Sequence, residues 1–340
     1  MRPIERMQAI SRGEFPDRIP FLPTILEHAA SLIGRTPSEV CRDTDLMVES
    51  QLKAFETYEP DIISVGVDIY NIEAEALGCR IQFHRSNDVP AVAEHPLDEP
   101  SKLKGLSIPD PESSGRMPVM LESGRRILNQ IGDQVTVSFP VCGAFSLAVD
   151  LRGFQALITD TFAEPSLVHD LLAFTTEVVK AYGGAAIKLG LRVSVFESWA
   201  TIPIISPKMF RDLVLPYDRE LIAHLRSVGA PGVPLILGGD TSPIVDALIE
   251  AGTSLVVADF PTDKAFFLRK AREAGVVLRG NIDPKLVQKG PVGKILDEAH
   301  SLIDICGGYP KFVLGTGVVA YDTPIENVLA IRRLLEELRR

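Results

Sequence analysis

The residues of this chain that can do chemistry are mostly acids and amides, and they recur at regular places. Glu27 and His28, then Asp68 and Tyr70, then Cys142 each lie at or just past the end of a short apolar run. The pattern continues with Glu197, Ser198 and Trp199, with Gly238, Gly239 and Asp240, with Asp259, with Asn281 and Asp283, and with Tyr321 and Asp322. A set rich in carboxylates and poor in histidine and thiol suits hydrogen bonding to a polar or heteroaromatic molecule and the movement of protons. Asp68, Glu197 and Asp240 are the candidate acids or bases, and His28, Tyr70, Cys142, Trp199, Asn281 and Tyr321 the candidate substrate contacts. Each has a plainer reading. A strand-end acid often caps the next helix, Cys142 has no activating neighbour and can be a small buried hydrophobe, and His28 can be a helix-face residue. Trp199, the only tryptophan, follows two polar residues, which favours the wall of a pocket over core packing.

The elements that must position these residues are visible as a rhythm. Apolar or β-branched runs at residues 18–25, 61–69, 134–142, 192–200, 234–240, 254–260, 276–283 and 311–317 alternate with helical periodicity. Leu255-Val256-Val257 is apolar on successive residues, as a parallel strand covered on both faces requires. Eight such units predict a (β/α)8 TIM barrel, a fold that builds its site from the loops at the C-terminal ends of the strands. Helix signals agree. Thr323-Pro324-Ile325-Glu326 reads as an N-cap, a first-turn proline and a capping-box acid before the apolar stripe of Val328, Ile331, Leu335 and Leu338. Ser206-Pro207 and Ser242-Pro243 repeat the cap-then-proline pattern, Gly252 and Gly275 fit helix stops, and another helix begins near Thr44.

One connection breaks the rhythm. Residues 79–133, between the second and third strands, carry Pro90, Pro96, Pro100, Pro109, Pro111 and Pro118 and are too long for a simple βα link. They read either as a lid or docking excursion over the barrel mouth or as surface decoration. No GxGxxG, Walker loop, HExxH or GxSxG occurs, and Gly238-Gly239-Asp240-Thr241 lacks the spacing of a phosphate cradle, so nucleotide cofactors are not expected.

Composition bounds the rest. The chain has 340 residues, 46% hydrophobic and 24% charged, which fits one large globular barrel domain over residues 1–340. A net charge of −10 argues against a nucleic-acid groove. No apolar run approaches the roughly 20 residues that cross a bilayer, and the opening Met1-Arg2-Pro3-Ile4-Glu5-Arg6 is too charged for a signal peptide. Cys41, Cys79, Cys142 and Cys306 are scattered, as isolated thiols in a reducing compartment would be. A cytoplasmic enzyme is the expectation.

Several stretches resemble the uroporphyrinogen decarboxylase and cobalamin-dependent methyltransferase superfamily. They are Arg12-Gly13-Glu14-Phe15-Pro16-Asp17-Arg18-Ile19-Pro20, Glu75-Ala76-Leu77-Gly78, Gly143-Ala144-Phe145-Ser146, Ser206-Pro207 followed by Leu215-Pro216-Tyr217, Gly280-Asn281-Ile282-Asp283-Pro284 and Thr323-Pro324-Ile325-Glu326-Asn327. The resemblance spans nearly the whole chain and implies the same barrel. Uroporphyrinogen decarboxylases hold substrate carboxylates with an RQAGR segment, where this chain has Ile25-Leu26-Glu27-His28-Ala29-Ala30. Two echoes of that branch remain: Asp68, near the family's catalytic aspartate, and Phe196-Glu197-Ser198-Trp199, similar to its FDSW stretch. Without the arginines an octa-anionic porphyrinogen would meet an acidic protein with little compensation.

The overall pattern is closer to the methylcobalamin:coenzyme M methyltransferase branch. Those enzymes bind zinc through HxCG at the fifth strand and a cysteine at the eighth, and the zinc turns a thiol into a thiolate. Here the matching positions read Ile236-Leu237-Gly238-Gly239 and Gly317-Val318-Val319, so all three ligands are gone. What the resemblance implies is a corrinoid-linked methyltransferase acting on a non-thiol donor or acceptor, such as an aryl methyl ether, a quaternary amine or a pterin. The methylated corrinoid would be carried by a partner protein. The alternatives are a decarboxylase or other proton-transfer enzyme using Asp68, and a zinc-less paralogue that binds a ligand or partner without catalysis. Asp240, next to a vacated ligand position, is the preferred acid. Because Ile236, Gly238 and Val318 cannot coordinate a metal, the purified protein is expected to carry no stoichiometric zinc. Elemental analysis finding one tightly held zinc per chain would overturn this.

Overall fold

The computed structural model describes residues 1–339. Its strands are β1 (Phe21–Thr24), β2 (Ile62–Ser64), β3 (Arg80–Gln82), β4 (Ala91–Glu94), β5 (Thr136–Cys142), β6 (Arg192–Phe196), β7 (Leu235–Ile236), β8 (Leu255–Ala258), β9 (Val277–Ile282) and β10 (Phe312–Val318). The expected TIM barrel is present, each of its eight strands falling within or nearly within an expected run. Most runs overreach at one or both ends, because the polar residues beyond the apolar stretch leave the ladder to form loops. The barrel consists of two parallel halves, ordered β1-β10-β9-β8 and β2-β5-β6-β7. Facing residues such as Phe139 and Val193, or Gly315 and Asn281, fix the register.

The halves meet at two seams, and polar side chains close both. At β1/β2 the Asp61 N–H donates to the Phe21 carbonyl at 2.9 Å, and the Asp61 carboxylate accepts from the Phe21 N–H at 2.7 Å. That carboxylate also takes Arg18 Nη1 at 2.7 Å and Arg6 Nη1 at 3.1 Å. Arg6 and Arg18, from the N-terminal stretch with the family resemblance, therefore clamp the barrel shut. At β7/β8 the Ser254 N–H donates to the Val233 carbonyl at 3.0 Å, and Thr253 Oγ1 accepts from Leu235 N–H at 2.9 Å.

A third clasp crosses the interior. Arg279 on β9 reaches over β10 to β1, donating from Nη2 to the carbonyls of Leu22 and Thr316 at 2.9 Å each and to Thr24 Oγ1. The path exists because residue 315 is glycine; a Cβ there would collide with Arg279 Nε.

Two details depart from the sequence pattern. Three successive helices, Ala144–Arg152, Phe154–Ala163 and Pro165–Lys188, follow β5 where the rhythm expects one. Gly153, at φ +83°, ends the first, and Pro165 opens the third from its first turn. The final helix, Ile325–Glu337, has Pro324 and not Thr323 at its N-cap, so Thr323 is buried with Oγ1 unpaired and Glu326 pairs with Arg333. Ser206 does cap its helix, accepting from Met209 N–H at 3.1 Å.

The long connection contains the antiparallel pair β3 and β4, then returns through the helix Met117–Ile131. The segment around the hairpin is tied to the barrel by Asn71 Nδ2 to the Pro90 carbonyl at 2.9 Å and by Leu97 N–H to the Leu151 carbonyl at 3.0 Å. Among the described residues no helix is long and apolar enough to cross a membrane.

The β1/β2 seam is testable. Asp61→Asn keeps the size of the side chain but leaves Arg18 and Arg6 buried without their shared anion, which costs about 3–5 kcal/mol. Urea unfolding measures this, and a loss under about 1 kcal/mol would show that the seam does not rest on the ion pair.

Candidate functional site

A cavity of about 590 Å³ opens at the C-terminal ends of β2, β5 and β6, within the size range of small-molecule sites. Tyr70 and Asn71 line it after β2, Cys142, Ser146 and Asp150 after β5, and Phe196, Ser198 and Trp199 after β6. The β3–β4 segment supplies Pro90, Ala91, Val92 and His95, so the irregular connection is a wall of the cavity and not mere decoration.

Asp150 is the chemically distinctive member. It sits on the helix Ala144–Arg152, is 8% exposed, and no lysine or arginine among the described residues lines the cavity with it. Burial pushes its carboxyl up to about 8, against the pull of a hydrogen bond from the Trp199 side chain, with the neighbouring acids Glu73, Asp68 and Glu197 adding to the rise. At neutral pH it is therefore mostly a carboxylic acid facing an apolar chamber. Trp199 in turn stacks on Phe154, ring centroids 5.6 Å apart at 22°, giving the chamber a flat aromatic side.

Glu197 sets where that helix begins. Its carboxylate accepts from the N–H groups of Phe145 and Ser146 at 3.0 Å each and from Ser146 Oγ at 2.6 Å, an anion on a helix N-terminus. Gly143 is required beside it, because a Cβ there would collide with the Glu197 carboxyl. Ser146 Oγ passes the constraint on by accepting from the Trp199 N–H at 3.0 Å. Behind Glu197 lies Asp218, fully buried, which finds no N–H or O–H donor of its own. Burial and the facing Glu197 carboxyl push Asp218 far above the ordinary range, so Asp218 holds the proton and donates to Glu197. Two more acids at this end are raised to about 7 mainly by burial: Glu27, and Glu73, whose Oε1 accepts from Cys142 N–H at 2.8 Å.

The sequence-derived candidates divide accordingly. Tyr70, Cys142 and Trp199 do line one cavity. Burial raises the Tyr70 phenol and the Cys142 thiol above their ordinary ranges, so both stay protonated and serve as contacts. Asp68, Glu197, Asp240 and Asn281 do not line it together, contrary to expectation. Asp68 is fully buried and held by Arg116 Nη1 at 2.7 Å, while the same guanidinium binds Asn71 and Glu75. Glu197 is a helix anchor. Asp240 is exposed beyond Gly239, whose φ of +78° turns the chain, and its Oδ1 accepts from Ser242 N–H at 3.0 Å. Its carboxylate does not line the cavity. His28 is buried in the wall, with Nε2 2.7 Å from the Tyr58 hydroxyl and Nδ1 3.1 Å from the carbonyls of Ala320 and Tyr321. Tyr321 donates to the Arg35 carbonyl at 3.1 Å, away from the cavity.

The positions that would match a zinc site do not fit one. Ile236, Gly238 and Val318 offer no donor, and among the described residues no group of three His, Cys, Asp or Glu side chains is placed to hold a metal. Asp259 takes over this corner instead: it accepts from Gly239 N–H at 2.7 Å and from Asn281 Nδ2 at 3.1 Å, and Asn281 Oδ1 accepts from Arg279 Nε at 2.9 Å.

Sequence reasoning missed Asp150, Asp218, Arg116 and His95. For Asp150 a signal existed: it is the one charged residue in Ala144-Phe145-Ser146-Leu147-Ala148-Val149-Asp150-Leu151, a mostly apolar helical run.

Fold and site together define a barrel enzyme family. The family model described as uroporphyrinogen decarboxylase (URO-D) matches residues 2–338, and the chain belongs to that family. Among its relatives, the methylcobamide:CoM methyltransferase MtaA of Methanosarcina barkeri is 24% identical over 96% of this chain and 95% of its own length. A uroporphyrinogen decarboxylase of Nitrosomonas europaea is 26% identical over 86% of this chain and 82% of its own. A solved methyltransferase from Methanosarcina mazei superimposes with a TM-score of 0.87 at 24% identity, covering 99% of both chains, which establishes the barrel. Members of the family are thus both methyltransferases and decarboxylases.

Asp150 also makes a stability prediction. Its folded-state pKa of about 8 lies above the ordinary 3.8, so the native state holds its proton more tightly than the unfolded chain. Stability from this group is full below the ordinary carboxyl range and is lost as pH rises toward about 8. Asp150→Asn removes that loss. Its stabilising effect grows by at most about 1.4 kcal/mol per pH unit across this window and then levels off. Thermal unfolding from pH 4 to pH 9 checks it; an effect independent of pH would show that Asp150 is ionised in the native state.

Proposed function

We propose that this protein moves a methyl group between a non-thiol heteroatom of a small aromatic or heteroaromatic molecule and the cobalt of a corrinoid carried by a partner protein. The observation that supports this most directly is Asp150, a carboxyl group held in its acid form inside an aromatic-walled chamber with no cation beside it. A thiol substrate needs a metal or base to make its thiolate, and the corner where that metal would sit is filled by Asp259 and Asn281. A heteroatom leaving its methyl group needs the opposite help, which is a proton.

The cavity of about 590 Å³ accommodates one or two rings and is far too small for a corrin. The macrocycle would therefore stand at the mouth, its cobalt supplying or receiving the methyl group. Trp199 and Phe154 hold the ring plane of the substrate and exclude water, while Tyr70 and Asn71 offer hydrogen bonds from the β2 side. Asp150 donates its proton to the heteroatom as the carbon–heteroatom bond breaks, and in the reverse direction accepts it. A decarboxylase acting on a polyanion is less well supported, because no lysine or arginine among the described residues lines the cavity and Asp68 is tied to Arg116.

Methylation of a reduced corrinoid protein, followed by its visible spectrum with a panel of methoxyarenes, methylated amines and methylated heteroaromatics, tests this reading. Asp150→Asn should slow transfer by roughly 10²–10⁴-fold, and the wild-type rate should fall as pH rises through about 8, where Asp150 loses its proton. Normal turnover in the variant would exclude the assigned role. No spectral change with any donor would favour a binding paralogue.

A further inference from the structure

We propose that His95 is the proton port of this site, the group through which the buried Asp150 exchanges its proton with solvent. The inference rests on the proposed role of Asp150 and adds a residue to it. His95 follows β4, is exposed, and lines the same cavity as Asp150.

Its ring is seated in a built place. Nδ1 lies 2.7 Å from the backbone carbonyl of Asp150, and a carbonyl can only accept, so Nδ1 carries the hydrogen. The Cys79 thiol donates to the same oxygen at 3.2 Å. Gly153 gives the ring its room: a Cβ there would lie 3.1 Å from Cδ2 and 3.3 Å from Nε2, and the backbone at φ +83° disfavours any side chain. With the Nδ1–H tautomer set, the lone pair of the neutral ring is at Nε2, and Nε2 has no hydrogen-bond partner among the described residues. The charged groups nearby are already engaged, Glu94 with Arg80 at 2.7 Å and Arg152 with Asp160 at 2.7 Å.

Of the titratable side chains that line the chamber with Asp150, His95 is the one able to refill it. Each time Asp150 gives a proton to a departing heteroatom, its carboxylate must recover one before the next cycle. Tyr70 and Cys142, the other titratable groups lining the chamber, are raised by burial and hold their protons. Imidazole is the side chain that takes and gives protons near neutral pH. Nε2–H of the imidazolium passes its proton to the Asp150 carboxylate through the water of the cavity that both residues line, and neutral Nε2 then takes another from solvent. In the reverse direction each step reverses.

Trp199, the only tryptophan, hydrogen-bonds the Asp150 carboxyl, so its emission reports the ionisation of Asp150 with no methyl donor present. The wild-type emission should titrate with a midpoint near 8 that Asp150→Asn abolishes. After a laser-driven pH jump, the emission should relax at least tenfold more slowly in His95→Asn, whose amide still donates to the Asp150 carbonyl but carries no proton. Added imidazole should restore the rate in proportion to its concentration, while the titration midpoint stays put. An unchanged relaxation in His95→Asn, or a slow one that imidazole does not rescue, would overturn the proposal. So would the absence of a titration that depends on Asp150. Because no methyl transfer is measured, the port can fail while the methyltransferase reading stands, and the reverse.

Discussion

A carboxyl group taken out of water with no cation beside it keeps its proton, and the mouth of this barrel is organised around that constraint. Glu27, Glu73, Asp150 and Asp218 all lie at this end with carboxyls raised by burial, as does Glu197, which stays charged only through the donors around it and the proton held by Asp218. Asp68 alone among the buried acids here has a cation, Arg116, against it, and even there burial outweighs the guanidinium and raises the carboxyl. An environment of this kind does not favour binding anions and does not generate thiolates. It suits the donation of protons.

Holding such acids in place requires backbone dipoles and hydroxyls where cations are missing. Glu197 shows the arrangement: two helix N–H groups and Ser146 Oγ stabilise its charge, and protonated Asp218 completes the set from behind. One buried anion thereby sets the start of the helix that carries Asp150, and through Ser146 the position of the Trp199 backbone. The chemistry of the cavity and the stacking of its aromatic wall thus share a single anchor, in a position that strand-end reasoning assigns to catalysis.

The barrel was legible because parallel strands covered on both faces must be apolar runs, and Leu255-Val256-Val257 or Val193 and Val195 announce this without any partner being known. The site was legible only in part. A strand-end position says that a side chain is near the mouth, and for Tyr70, Cys142 and Trp199 that was enough. It does not say what else reaches the same side chain. Asp68 is neutralised by an arginine 48 residues away in sequence, and Asp240 is turned outward by the left-handed backbone of Gly239, neither of which periodicity carries. Asp150 escaped because it lies on a helix, where an acid in an apolar run is easily read as an incidental surface residue. That Ile236, Gly238 and Val318 carry no metal-binding side chain was visible, but not that Asp259, Asn281 and Arg279 form a hydrogen-bonded chain beside Gly239.

The β3–β4 hairpin forms a wall of the cavity yet contributes no strand to the barrel. Its attachments are a handful of hydrogen bonds, such as Asn71 Nδ2 to the Pro90 carbonyl, Leu97 N–H to the Leu151 carbonyl and His95 Nδ1 to the Asp150 carbonyl, and the seams at Asp61 and Thr253 do not involve it. The two parts can therefore evolve at different rates. Mutations in the seams are paid for in folding, whereas mutations along the hairpin reshape the chamber at little risk to the scaffold, so the breadth of ligands open to such a barrel is set by a replaceable panel and not by its core.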